Sequence, residues 1–245
     1  MSDLDPFAPR DISQARDPEV HVFGSGHVCR TERRGYATPR GRSLFEIVVD
    51  ASEGFIPLWA PNSILRYRFD RRSLNRYRDP NAAKTAIRQL FGEALIKWGD
   101  AAPVRFHEAR SRVDFEIAVR NADDCDANGC VLASAFFPDA GVHRLSIYPK
   151  MFSQPREEQV ETLIHEIGHV FGLRHFFAQV SETEWASQIF GVQNKFSIMN
   201  YGAPSILTEA DRADLKLLYE QVWSGRLLAL NGTPIRQVKP HSASA

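Results

Sequence analysis

Residues 165–175 read His-Glu-Ile-Gly-His-Val-Phe-Gly-Leu-Arg-His and constrain the chain more than any other stretch. His165 and His169 are four residues apart, so on an α-helix they project from one face about a turn apart. Ring nitrogens so placed can reach a single ion at about 2.0–2.1 Å. Glu166 lies beside the first histidine, within reach of a water on that ion. Gly172 can take left-handed backbone, end the helix and turn the chain, which brings in His175 as a third ligand. Three neutral imidazoles around Zn²⁺ leave one position open, the arrangement of a catalytic rather than a structural site. From this composition the five-position pattern arises by chance with a frequency on the order of 10⁻⁵. A site that holds zinc without turning over substrate is the other reading of the same residues.

The rest of the chain must build a scaffold for that helix. At 245 residues with 43% hydrophobic content it can bury a core without staples, as one domain with extensions. Leu44–Val49 reads as a strand, and Leu65, Tyr67 and Phe69 alternate with Arg66 and Arg68 as a half-buried strand. Asn81 can cap a helix whose apolar positions run from Ile87 to Trp98, with Gly99 ending it. Short strands are expected at Val104–Phe106, Phe115–Val119 and Leu145–Tyr148, with an apolar run at Leu132–Phe137 stopped by Pro138. The histidine-bearing helix begins near Ser153–Pro155. Another has Thr208 as cap and Asp211 at its third position, with Leu215, Leu218 and Tyr219 on one face. Strand, helix, several strands, then helix, long loop and helix make an α+β domain. The expected division is an N-terminal extension at 1–60, open to reading as a pro-segment, a catalytic domain at 61–224 and a C-terminal tail at 225–245.

Charge and cysteine content narrow the function. Thirty Lys+Arg balance thirty Asp+Glu, which argues against a dedicated nucleic-acid binder, and no apolar run is long enough to span a membrane. Arg30, Arg33, Arg34, Arg40 and Arg42 crowd a Gly- and Pro-containing stretch that reads as a solvated loop. Three cysteines exclude a disulfide-dense scaffold. Cys125 and Cys130 can close a small loop or stay as free thiols. The first twenty residues show no basic start and no apolar core of a signal peptide, so the compartment stays open.

The eleven-residue motif resembles that of the metzincin metallopeptidases, whose pattern continues downstream in a methionine turn. Ser197-Ile198-Met199-Asn200-Tyr201-Gly202 supplies that second half. The resemblance implies a zincin fold: a twisted sheet with an antiparallel edge, an active-site helix and a C-terminal helix, with Met199 as the hydrophobic base beneath the histidines. Leu132–Pro138 looks like the substrate-pairing edge strand of the matrixins, and Leu207 through Tyr219 like their last helix. Matrixins usually carry histidine where Ser134 stands, as ligand to a second, structural zinc; only His143 could serve one here. The long link from His175 to Met199 also departs from them. Tyr201 resembles the tyrosine that astacins and serralysins use as a swinging ligand and oxyanion stabiliser. Cys29 sits in His-Val-Cys-Arg-Thr, without the Pro-Arg-Cys-Gly context of a matrixin latency switch.

These readings converge on a zinc endopeptidase with one catalytic Zn²⁺ held by His165, His169 and His175. A zinc-bound water would attack the peptide bond, Glu166 would act as general base, and Tyr201 would assist. Its partners would be protein or peptide substrates. The rival classes are a non-catalytic zinc domain that binds peptides in the same cleft and an intracellular regulatory protein using the arginine-rich segment.

Overall fold

The computed structural model describes residues 47–50, 54–126, 129–174, 187–190, 198–199, 206–230 and 232–243. Its strands are β1 (Ile47–Asp50), β2 (Ile56–Trp59), β3 (Ile64–Phe69), β4 (Arg105–Glu108), β5 (Phe115–Val119), β6 (Asp124–Asp126) and β7 (Gly129–Val131). They continue with β8 (Ala133–Ser134), β9 (His143–Ile147), β10 (Leu173–Arg174), β11 (Ser187–Phe190), β12 (Ala229–Leu230) and β13 (Thr233–Val238). The α-helices are α1 (Arg71–Leu74), α2 (Pro80–Trp98), α3 (Arg156–Val170) and α4 (Glu209–Trp223). The fold is α+β, as expected.

The main sheet has the order β4-β3-β5-β9-β8. Its interior pairs are parallel, and only β8 runs antiparallel, at one edge. The expected apolar strand at Leu132–Phe137 is thus much shorter, because Ala133 and Ser134 alone are in register with Ile147 and Ser146 before the chain leaves toward Pro138. In β3, Leu65, Tyr67 and Phe69 point into the core, whereas Ile64, Arg66 and Arg68 face solvent. Tyr67, Phe91, Phe106 and Phe115 meet mostly edge to face, the geometry that aromatic quadrupoles favour.

Helix α2 starts two residues before the point where Asn81 alone would place it. Asp79 is the cap, its Oδ1 accepting from the N–H groups of Asn81 and Ala82, and Pro80 fills the first helical position, where no donor is lost. Gly99 ends the helix at φ +56. The stripe Ala83, Ile87, Leu90, Phe91, Ala94 and Trp98 is buried against the sheet and α3. Thr208 and Asp211 form the expected capping box of α4.

Strands were missed where no alternation announces them. The parallel pair of β13 with β2 aligns Ile235 with Ile56 and Val238 with Trp59. It therefore joins a stretch assigned to the N-terminal extension to one assigned to the tail. Ser242 extends that attachment, donating through its backbone N–H at 2.7 Å and its hydroxyl at 2.9 Å to the carboxylate of buried Asp114. β1 lies between β10 and β11 in a separate three-stranded sheet. Cys125 and Cys130 face each other across β6 and β7 and are joined by a disulfide.

Candidate metal centre and active-site cleft

Helix α3 carries the motif, and its C-terminal end is held from three directions. The Trp98 indole N–H donates to Ile164 O at 3.1 Å, and that of Trp59 to Val170 O at 2.7 Å. The Tyr219 hydroxyl donates to Phe171 O at 3.0 Å. Val170 and Phe171 belong to the last turn, where helix carbonyls otherwise lack partners, so these bonds fix where the helix stops. Burial of the Tyr219 hydroxyl raises its pKa and keeps it a donor. The Trp223 indole donates to Trp59 O at 2.9 Å, which locks α4 to the same corner.

The chain turns at Gly172 with φ +92, the left-handed conformation expected of it. A Cβ there would also stand 3.1 Å from Leu58 Cδ2 and 3.4 Å from the Pro57 carbonyl. The turn lets Leu173 O return to the helix, where it lies 2.7 Å from His169 Nδ1. His165 Nδ1 lies 2.7 Å from Ile198 O, in the methionine turn. A carbonyl only accepts, so each Nδ1 carries the ring proton and each Nε2 presents a lone pair.

Those two Nε2 atoms lie 3.1 Å apart. Facing lone pairs at that separation repel unless a cation lies between them, and both nitrogens can reach one ion at about 2.0–2.1 Å. The carbonyls on Nδ1 set tautomer and ring orientation, as second-layer partners of metal-bound histidines commonly do. The donor set therefore fits zinc. The Phe137 ring meets His169 edge to face at 5.5 Å, and the fully buried Arg174 guanidinium sits 6.0 Å from the Phe137 centroid.

Glu166 is 2% exposed and follows His165 on the helix. Met199 is 1% exposed, and a Cβ at Gly168 would stand 2.5 Å from its Sδ. The methionine thus lies directly beneath the helix turn that separates the two histidines. His175, Tyr201 and Cys29, together with the arginine cluster at 30–42, lie outside the described residues. His143 stacks on Phe136 with centroids 4.5 Å apart and lies 3.9 Å from Asp139.

Sequence reasoning missed the two carbonyls that orient the histidines, because backbone acceptors carry no residue signal. Gly168 did carry one: a glycine inside a helix costs about 1 kcal/mol relative to alanine and calls for a packing reason.

The family model of the matrixins, peptidase family M10, matches residues 59–196, more than half of the chain. The protein is a matrixin. Matrixins are metzincin zinc metallopeptidases, so the fold and the motif agree on one family. Metalloendoproteinase 4-MMP of Arabidopsis thaliana is 31% identical over 135 residues, 49% of this chain and 38% of that protein. Human stromelysin-3 is 30% identical over 150 residues, covering 56% of this matrixin and 28% of the relative. Macrophage metalloelastase of Rattus norvegicus is 28% identical over 106 residues, 39% of this chain and 23% of that one. This matrixin therefore spans well under half the length of these relatives. A solved structure of myroilysin aligns with 70% of this chain and 98% of its own at 15% identity and a TM-score of 0.48, a likeness in outline only.

Proposed function

We propose that this protein is a zinc endopeptidase that hydrolyses peptide bonds of protein substrates, with Glu166 as general base. The observation that carries this reading is the pair of Nε2 atoms 3.1 Å apart, each ring fixed by a carbonyl on Nδ1, beside a buried carboxylate. His165, His169 and His175 are the residues that would hold one zinc. Bound there, zinc supplies a Lewis acid that makes water nucleophilic near neutral pH.

The chain's own residues supply the rest. Glu166 accepts the proton of the attacking water and delivers it to the leaving amine. Tyr201 donates a hydrogen bond to the developing oxyanion. β8 stands at the edge of the sheet, where an extended peptide can align as a further strand. Met199 supports the histidines from below, and Gly172 makes the turn toward His175. The catalytic unit is centred on residues 61–224, with 1–60 as an extension that can act as a pro-segment. Pairing of β2 with β13 carries the folded unit past both boundaries.

The test is incubation with a proteome-derived peptide library, with and without chelator, reading cleavage sites by mass spectrometry. Chelator-sensitive internal cleavage is the expected result. Bound zinc without cleavage of any peptide would leave a peptide-binding domain in place of an enzyme.

A further inference from the structure

The solvent face of the main sheet gathers arginine in a chain whose formal charges balance. β3 turns Arg66 and Arg68 outward, β4 turns Arg105 and His107, and β9 turns Arg144. The registers Arg66↔His107, Arg68↔Glu116 and Glu116↔Arg144 place these side chains on one face. The loop 109–114 adds Arg110 and Arg112, both exposed. That loop joins strands on either side of β3, whose other face is buried, so it crosses the face bearing Arg66 and Arg68. Backbone bonds of 2.7 Å from Ala109 N to Tyr67 O and from Asp114 N to Arg66 O hold it there.

Few carboxylates answer these six arginines. Glu116 accepts from Arg68 Nε at 2.8 Å and from Arg144 at 3.2 Å, and these guanidiniums hold its pKa below the usual carboxylate range. Asp114 is buried and accepts from the backbone N–H groups of Arg66 and Ser242. Among the described residues no carboxylate pairs with Arg66, Arg105, Arg110 or Arg112. Three glutamates lie on α3, away from this face, at Glu157, Glu158 and Glu161. The face is thus locally basic, and a face of one sign attracts the other.

We propose that this face docks an extended sulfated polysaccharide. Strand geometry spaces its side chains by about 6.8 Å along a strand and about 4.8 Å between strands. Guanidinium forks in such an array can each take two oxygens of a sulfate group. Among the described residues no Phe, Tyr or Trp stands on the face to stack bases and no α-helix projects from it to enter a groove, which disfavours nucleic acid. Its exposed apolar side chains, Ile64 and Val142, are separated by β5 and give a bilayer little to hold. The histidines of α3 lie on the helical side of the sheet, so a polysaccharide bound here leaves the cleft open. It would tether the protein to an anionic matrix, whether or not the cleft hydrolyses peptides.

The test uses the full chain and a heparin fragment of defined length, measured by calorimetry from about 50 to about 200 mM salt. Binding should weaken linearly in log–log form as salt rises. Combined Arg66→Glu, Arg105→Glu and Arg110→Glu substitution should weaken it at least about tenfold and lower the salt slope by about 2. The milder Arg→Gln set at the same positions should weaken it less and guards against misfolding, with circular dichroism as the check. Lys97→Glu with Arg226→Glu, away from the face, should keep most of the affinity. Unchanged affinity in both arginine sets, no binding by the parent chain, or equal binding of desulfated heparin would overturn the proposal. So would tighter binding of a single-stranded oligonucleotide or of phosphatidylserine vesicles than of heparin.

Discussion

Gly168 and Met199 occupy one space: a Cβ on the glycine would stand 2.5 Å from the methionine Sδ. The contact ties the middle of α3 to the methionine turn, whose Ile198 carbonyl holds His165. Gly168→Ala gains about 1 kcal/mol in helix preference but overpacks a buried site, which typically costs about 1–3 kcal/mol. Net destabilisation is expected in denaturant unfolding, with reduced peptidase activity as Met199 shifts. In a Met199→Ala background the same substitution should become neutral or stabilising. Equal effects in both backgrounds would mean that the contact carries no coupling energy.

What was legible in the sequence is what periodicity and punctuation encode. His165 and His169 followed from helical spacing, the turn at Gly172 from its missing Cβ, and the outward Arg66 and Arg68 from alternation along β3. Asp79 displaced Asn81 as the cap because Pro80 preorganises the first turn behind it. The strands β2, β10 and β13 were not legible: each is short or interrupted by proline, and each exists because a distant partner fills its hydrogen bonds. The carbonyls of Leu173 and Ile198 were invisible for a related reason, since the fold and not the residue type aims them.

Glu158 carries a pH dependence. Burial, with the neighbouring Glu161 charge, raises its pKa to about 7. Between the ordinary carboxylate range and about 7, the folded chain holds a proton that the unfolded chain has lost. This group's contribution to stability therefore falls as pH rises through that window. Glu158→Gln should gain stability relative to the parent at pH 8 and little at pH 4, by a modest margin because the side chain is only partly buried. Urea midpoints of both proteins across the range measure it, and a parallel pH profile would show that Glu158 titrates normally.

Tyr201→Phe separates a catalytic hydroxyl from a packed ring. A donor to the oxyanion acts mainly in the transition state, so kcat should fall, by about 10²-fold or less, more than KM rises. An unchanged kcat would return Tyr201 to packing.

One zinc per chain is expected by elemental analysis, since the motif supplies a single complete ligand set. His175→Ala should lose that zinc, because two imidazoles and water hold it poorly. Two zinc ions per chain would mean that a second site exists despite Ser134 standing where matrixins usually carry histidine.

Glu166→Ala decides the mechanism. Glu166 is proposed as a proton carrier rather than a ligand, so the variant should keep its zinc and its circular dichroism spectrum. Turnover of an unfolded protein substrate should fall by about 10²–10⁴-fold, the usual contribution of a positioned acid–base group. The loss can run larger, because the same carboxylate orients the attacking water. A cavity at a position only 2% exposed also carries a stability cost, so unfolding must be measured on the same preparation. Glu166→Gln, which keeps the volume but cannot accept the proton, controls for it and should be as inactive as the alanine variant. Wild-type turnover in either variant would remove Glu166 from the mechanism, and loss of zinc in both would make it a structural support of the metal centre.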